Sequence, residues 1–396
     1  MTAKTHWPAV AAALAAGVIS AFAFGKVSPA LPLLKDAFDL TLIQAGWLVA
    51  AFNALAAASA IFFGLFADRA GALRFCIAGT ACIAAGSALG AFAGGAMLLI
   101  VSRLIEGLGF LAVIVSAPSL IAAASSPQSR GIAFGLWSTY LPFGVSVALL
   151  VSPPLLDTLG WRSLWAVSAL AAGACVAMLA LQSRHYAGVG TGARRSLASV
   201  RASLAQPVPW LLGIAFAAYA IQHHSLIVWL PTYLIETHGT SNTAAALATA
   251  LAVFVNCFGN LLGGWLIQKH VPRGKIIALT FMVTSIAFVG IFSHALPDTA
   301  RFALAVFYSF ITGTVPAAVL SGGVRYARSP AEVGAIQGLI VHVTNVGIFF
   351  APPIIAATVT FSGSWDATLW VMLACAALAL ACAFAIGRYE RAATRS

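Results

Sequence analysis

The chain has 396 residues, 61% of them hydrophobic and 8% charged, with a formal net charge of +11 and a mean hydropathy of +0.97. A soluble domain carries about 25% charged residues, so the composition excludes one. The cations fall mostly in short segments between apolar runs, where they report membrane topology and not affinity for nucleic acid.

Twelve apolar runs are expected as spans, at about 9–33, 42–66, 74–93, 96–122, 131–155, 162–182, 209–234, 244–267, 274–294, 299–324, 334–358 and 366–387. Each approaches the ~20 residues that cross a ~30 Å hydrocarbon core. The first run begins after Trp7-Pro8 and has no convincing cleavage site, so it reads as a retained span. With the N-terminus inside, sixteen Lys and Arg fall in inner segments, and only Lys35, Arg162 and Arg301 in outer loops. That asymmetry places both termini in the cytoplasm and predicts a multi-pass protein of the bacterial inner membrane.

Lys26 and Arg103 are the cations inside spans, and Glu106 is the only acid inside one. Arg103 and Glu106 lie one helical turn apart on one face. Intramembrane charge is costly and marks a functional site by default. Lys26 and Arg103 are therefore candidate ligands for an anionic solute, and Glu106 a candidate proton carrier. Arg suits a carboxylate bidentately and Lys binds it as a point charge. The bland alternative is a bracing Arg–Glu pair with Lys26 snorkelling outward. In the second half, His223, His224 and His342 are the deep titratable groups. His223 and His224 are candidates for proton coupling, and His223 and His342 for substrate binding. Adjacent residues point about 100° apart, so one of the pair at most faces a cavity squarely. The alternative is neutral imidazoles bonded between helices. Tyr140, Tyr219 and Asn256 complete the candidate substrate ligands, as polar groups at similar depth in otherwise apolar walls.

The longest connection, 183–208, is Gly-rich and basic and reads as a cytoplasmic linker. It separates an N-terminal unit, 1–182, from a C-terminal unit, 209–396. The units look like repeats: Ser126-Pro127 with Gly131, Gly135 and Gly144 recurs as Ser329-Pro330 with Gly334, Gly338 and Gly347. Parallel six-span repeats imply a site at their interface, exposed alternately to each side. The prolines Pro29, Pro32, Pro142, Pro231, Pro316, Pro352 and Pro353 are expected to interrupt helices.

The loop Gly64-Leu65-Phe66-Ala67-Asp68-Arg69-Ala70-Gly71-Ala72-Leu73-Arg74 resembles the signature of the major facilitator superfamily, G-x-L-x-D-R-x-G-R-R. Phe66 departs from it, and so do Ala72 and Leu73, which stand where the basic pair is usual. Arg103-x-x-x-Gly107-x-Gly109 is similar to the family's fourth-span motif, and Gly160-Trp161-Arg162 to another habitual position. The seventh span, with Gln222 and Trp229-Leu230-Pro231, is similar to that of the cyanate/nitroimidazole-type transporters.

The resemblance implies an all-α integral membrane protein: twelve transmembrane helices in two pseudo-symmetric six-helix bundles, the major facilitator fold. It implies secondary transport by alternating access, with Gly64, Asp68, Arg69, Gly71 and Arg74 forming a cytoplasmic gate. The expected function is proton-coupled symport of a small organic anion, a carboxylate or similar, by a monomer in contact with lipid. The alternative is a proton-coupled drug or metabolite efflux antiporter, but Tyr140-Leu141-Pro142-Phe143-Gly144 lacks the fifth-span antiporter motif. No cofactor, metal or nucleic acid is expected. The six cysteines lie in apolar spans without ligand spacing, and no HExxH or GxSxG motif suggests an enzyme.

Overall fold

The computed structural model describes residues 4–59, 71–186, 205–326 and 330–393, and every regular element among them is helical. The first bundle holds α1 (Trp7–Gly25), α2 (Val27–Phe38), α3 (Leu42–Ala51), α4 (Ala72–Ala91), α5 (Ala96–Ala124), α6 (Arg130–Ser138), α7 (Tyr140–Leu159) and α8 (Arg162–Leu181). The second holds α9 (Pro207–His238), α10 (Asn242–Gln268), α11 (Arg273–Ile291), α12 (Asp298–Thr312), α13 (Thr314–Arg325), α14 (Pro330–Ser362) and α15 (Thr368–Ala393). Among the described residues, eleven stretches are long and apolar enough to cross a membrane, α1–α2 and α12–α13 each counting as one. The remaining expected span, 42–66, is described to residue 59. Gly64, Asp68 and Arg69 of the signature loop, and residues 187–204 of the linker, lie outside the described residues.

Helix boundaries follow local chemistry. Asp39 closes α2 at φ 49° and Gly239 closes α9 at φ 61°, both left-handed. Two residues later Thr41 and Ser241 cap the next helices, accepting from the Gln44 and Ala244 amides. The same stop-and-start device therefore marks one end of both bundles. A proline ring clashes with the carbonyl four residues back. Accordingly α1 ends at Gly25 before Pro29, α6 at Ser138 before Pro142, and α12 at Thr312 before Pro316. The other expected interruptions are corrected: Pro32, Pro231, Pro352 and Pro353 lie inside helices that continue through them.

Glycines set the close approaches. A Cβ on Gly107 would run into the Phe52 carbonyl, and one on Gly313 into the Asn256 carbonyl, so the same contact recurs in each bundle. Gly144 packs on Val18 and Ala21 of α1, and Gly347 on Ala217 and Ile221 of α9. These repeat glycines serve equivalent helix pairs.

At one end the bundles share a buried core, and at the other the cores formed by the described residues are distinct. At the end holding the Asp39 and Gly239 turns, a single apolar core draws on both bundles, joining Leu31, Leu34, Leu48 and Trp165 to Val228, Trp229, Phe288 and Ile355. There Ser28 Oγ donates to the carbonyls of Ile227 and Val228, at 2.6 and 3.0 Å. Lys35 and Glu236 pair across the boundary at 2.8 Å, and Gly46 lies against the backbone of Pro352 and Pro353. Towards the end where α1 begins and α15 ends, the buried cores part. One is built on α1, α5 and α8 with Ile227, Ala250 and Val253 reaching in at mid-depth, and the other belongs entirely to the second bundle.

Candidate functional site

The break between α1 and α2 places Lys26 beside α5. Pro29 cannot donate to the Gly25 carbonyl, and the helix restarts at Val27 with Lys26 at the joint. Lys26 Nζ reaches Glu106 Oε1 at 2.6 Å and Ser87 Oγ at 2.9 Å. Ser87 Oγ donates to the same carboxylate oxygen at 2.6 Å and lies 2.9 Å from Ser168 Oγ. Arg103 Nη1 bonds the other oxygen, Oε2, at 2.6 Å, and also donates to the Ala23 carbonyl at 2.7 Å. Lys26, Arg103 and Glu106 are all fully buried.

The surroundings explain the seal. Lys26 Nζ lies 4.8 Å from the Trp165 ring, and the Arg103 guanidinium 4.4 Å from the Phe52 ring. Such faces attract cations where water is excluded. Gly86 admits Glu106: a Cβ there would lie 2.9 Å from the glutamate Cγ. The three ionised groups sum to one positive charge, held in the apolar interior without a neutralising partner among the described residues. Burying charge costs several kcal/mol per ion by order of magnitude, about as much as good pairing returns. An unneutralised cation is thus a standing affinity for an anion. Lys26 does not snorkel, because its amine has an acceptor within the bundle.

The other predicted groups are placed separately. His224 crosses to the first bundle, its ring 4.9 Å from that of Phe24. His223 turns the other way and stacks on Tyr219 at 5.5 Å, with Phe216 continuing the row. Asn256 donates to the Ser309 carbonyl at 2.7 Å, a helix-to-helix bond, so that donor is already engaged. Tyr140 stacks on Trp137 at 4.3 Å and His342 is partly exposed; neither joins the ion triad. Gly71 adopts φ 84° where α4 begins, and Arg74 is exposed one turn later.

Sequence reasoning missed Ser87, which hydrogen-bonds the triad, Ser168, which hydrogen-bonds Ser87, and the rings of Trp165 and Phe52 that cover it. Lone hydroxyls and aromatics in apolar spans carry no local signal. Their importance rests on a carboxylate brought from another helix.

The Major Facilitator Superfamily model matches residues 13–352, and the chain belongs to that family. It is similar to the probable nitrate/nitrite transporter NarK2 of Mycobacterium tuberculosis, with 26% identity over 93% of this chain and 92% of that one. It is similar to the putative niacin/nicotinamide transporter NiaP of Bacillus subtilis (21%, covering 92% and 91%) and to the hexuronate transporter of the same organism (22%, 92% of each). The fold matches the crystal structure of a bacterial homolog to the human lysosomal transporter Spinster, with a TM-score of 0.80, 18% identity and 96% of each chain covered. These similar proteins are transporters and not enzymes.

Proposed function

We propose that this protein is a secondary active transporter that moves a small organic anion across the bacterial inner membrane by alternating access, in symport with protons. The observation that carries the reading is the net positive triad of Lys26, Arg103 and Glu106, buried in the first bundle beside its boundary with the second. Relatives named for nitrate, hexuronate and sulfoacetate support an anionic solute.

Glu106 occupies both cations in the structure described. A solute carboxylate that pairs with Arg103 competes with Glu106 for it. Protonating Glu106 removes that competition. One anion and one proton together leave the triad's net charge unchanged, so a 1:1 step is electroneutral and the carrier returns without a charge penalty. His223 and His224 are second candidates for the proton, and Tyr140, Tyr219, Asn256 and His342 for solute contacts. We assign the units as 1–182 and 209–396, joined by a cytoplasmic linker at 183–208. With the termini in the cytoplasm, the parted end faces inward and the sealed end outward, and the Gly64–Arg74 loop latches the inner side when it closes.

The test is uptake of labelled organic acids into proteoliposomes, with protein-free liposomes as the control. An inwardly directed proton gradient is expected to drive uptake, and Arg103→Gln to abolish it while the protein stays monodisperse. Uptake of a neutral solute, unchanged in Arg103→Gln and Lys26→Gln, would defeat the anion assignment. Proton-driven export of the same acids would favour antiport.

A further inference from the structure

Around Arg103 the first bundle presents three phenyl rings. Phe24, Phe52 and Phe110 form a triangle with centroid separations of 5.4, 5.5 and 5.9 Å, and the guanidinium lies over Phe52. The second bundle sends His224 against this triangle, its ring tilted 33° against Phe24. Three polar atoms here are buried and have no partner among the described residues: Nδ1 and Nε2 of His224, and Nε of Arg103. Buried nitrogens of this kind are normally hydrogen-bonded. Arg103 and His224 both sit on Phe24, the first donating to its carbonyl at 3.4 Å and the second packing on its ring.

Resting on the anion reading above, we infer that the solute is a planar aromatic monocarboxylate. The Phe24 and His224 rings touch in the structure described, 4.9 Å between centroids, so the solute's ring enters between them as the bundles part, and its carboxylate takes the Nε–H of Arg103. The stack crosses the bundle boundary, so it widens when the bundles move apart and closes when they meet. A flat ring fits such a slot because aromatic pairs prefer centroid separations of about 4.5–7 Å on each face. The walls exclude the other anion classes. Three phenyl rings offer no partner to the hydroxyls of a sugar acid, and a buried hydroxyl left unpaired is selected against. A small inorganic oxyanion satisfies Arg103 but leaves the slot unfilled.

The experiment is isothermal titration calorimetry of the purified full chain with benzoate, cyclohexanecarboxylate and benzamide. Benzoate is expected to bind roughly three- to ten-fold tighter than cyclohexanecarboxylate, the range that one or two ring contacts supply. Benzamide is expected to bind at least about ten-fold more weakly than benzoate, having lost a charge-assisted bond. Phe24→Leu and His224→Leu should bring the two acids to equal affinity, whereas His224→Phe, which keeps a ring, should preserve the preference. Equal binding of both acids to the unaltered protein overturns the aromatic slot and leaves the anion reading standing. Benzamide binding as tightly as benzoate, with cyclohexanecarboxylate weak, keeps the slot and defeats the anion reading. A preference for benzoate that survives both leucine variants, or no binding of any probe, overturns the slot.

Discussion

The two bundles share a scaffold and differ in chemistry. Counted back from the equivalent turns at Asp39 and Gly239, Lys26 corresponds to Leu226. Counted from the glycines that meet a backbone carbonyl, Gly107 on Phe52 and Gly313 on Asn256, Arg103 and Glu106 fall opposite Ser309 and Thr312; counted from the Ser126 and Ser329 repeat, Glu106 falls opposite Ser309, and on either count the second bundle is uncharged there. The second bundle therefore packs the same helices with leucine, serine and threonine where the first has two cations and a carboxylate. Thr312 settles for backbone, its hydroxyl lying within reach of the Tyr308 and Ser309 carbonyls, and the Ser309 hydroxyl is buried without a partner among the described residues. The fold thus does not require charge at this level. The proposed role of the triad therefore rests on charges that one bundle carries and the other does not.

The sharpest way to break this comparison is to give the first bundle the second bundle's residues. The triple variant Lys26→Leu, Arg103→Ser, Glu106→Thr is expected to fold with stability close to that of the unaltered protein and to transport nothing. Glu106→Leu alone leaves two buried cations facing each other and should lose about 3–5 kcal/mol. Thermal unfolding in detergent separates the two; a triple variant less stable than the single one would make the charges structural. Next in size is uptake in Arg103→Lys. The point charge remains but the planar fork is gone, and a roughly ten-fold or larger loss of apparent affinity is expected, the worth of one charge-assisted bond.

Gly107→Ala and Gly313→Ala probe the shared scaffold. Each sets a methyl against a backbone carbonyl and should cost about 1–3 kcal/mol, to a similar degree in both bundles. A large inequality in their melting temperatures would count against the symmetry. The smallest effect is expected at the rim. Lys35→Ala removes a half-exposed pair with Glu236 and should change stability by about 1 kcal/mol or less. Because the pair spans the boundary, accessibility of a cysteine introduced at Leu31 should nevertheless rise at that end.

Much of this was readable beforehand. Span positions came from hydropathy, and the half-repeat from Gly144 and Gly347, both of which pack on the first helix of their bundle. Arg103 and Glu106 could be paired because three residues on a helix share a face. The prolines were only partly readable: the residue type marks a missing donor, but whether the helix stops at Gly25 or runs on through Pro231 depends on what packs beside it. Lys26 was picked out by its cost, but its partner was not.

What the sequence determined by itself is local: which stretches prefer hydrocarbon to water, where a left-handed residue or a cap ends a helix, and which charges have no business in a span. What the tertiary structure alone decided is azimuthal and long-range. Lys26 meets a carboxylate 80 residues away, Ser87 closes the same bond from a third helix, and His224 turns across the boundary onto Phe24 while His223 does not. The reason is physical. Burial energy depends on how much apolar area leaves water and is nearly indifferent to direction, whereas an ion pair or a ring contact exists only when two helices face each other at a given rotation and depth.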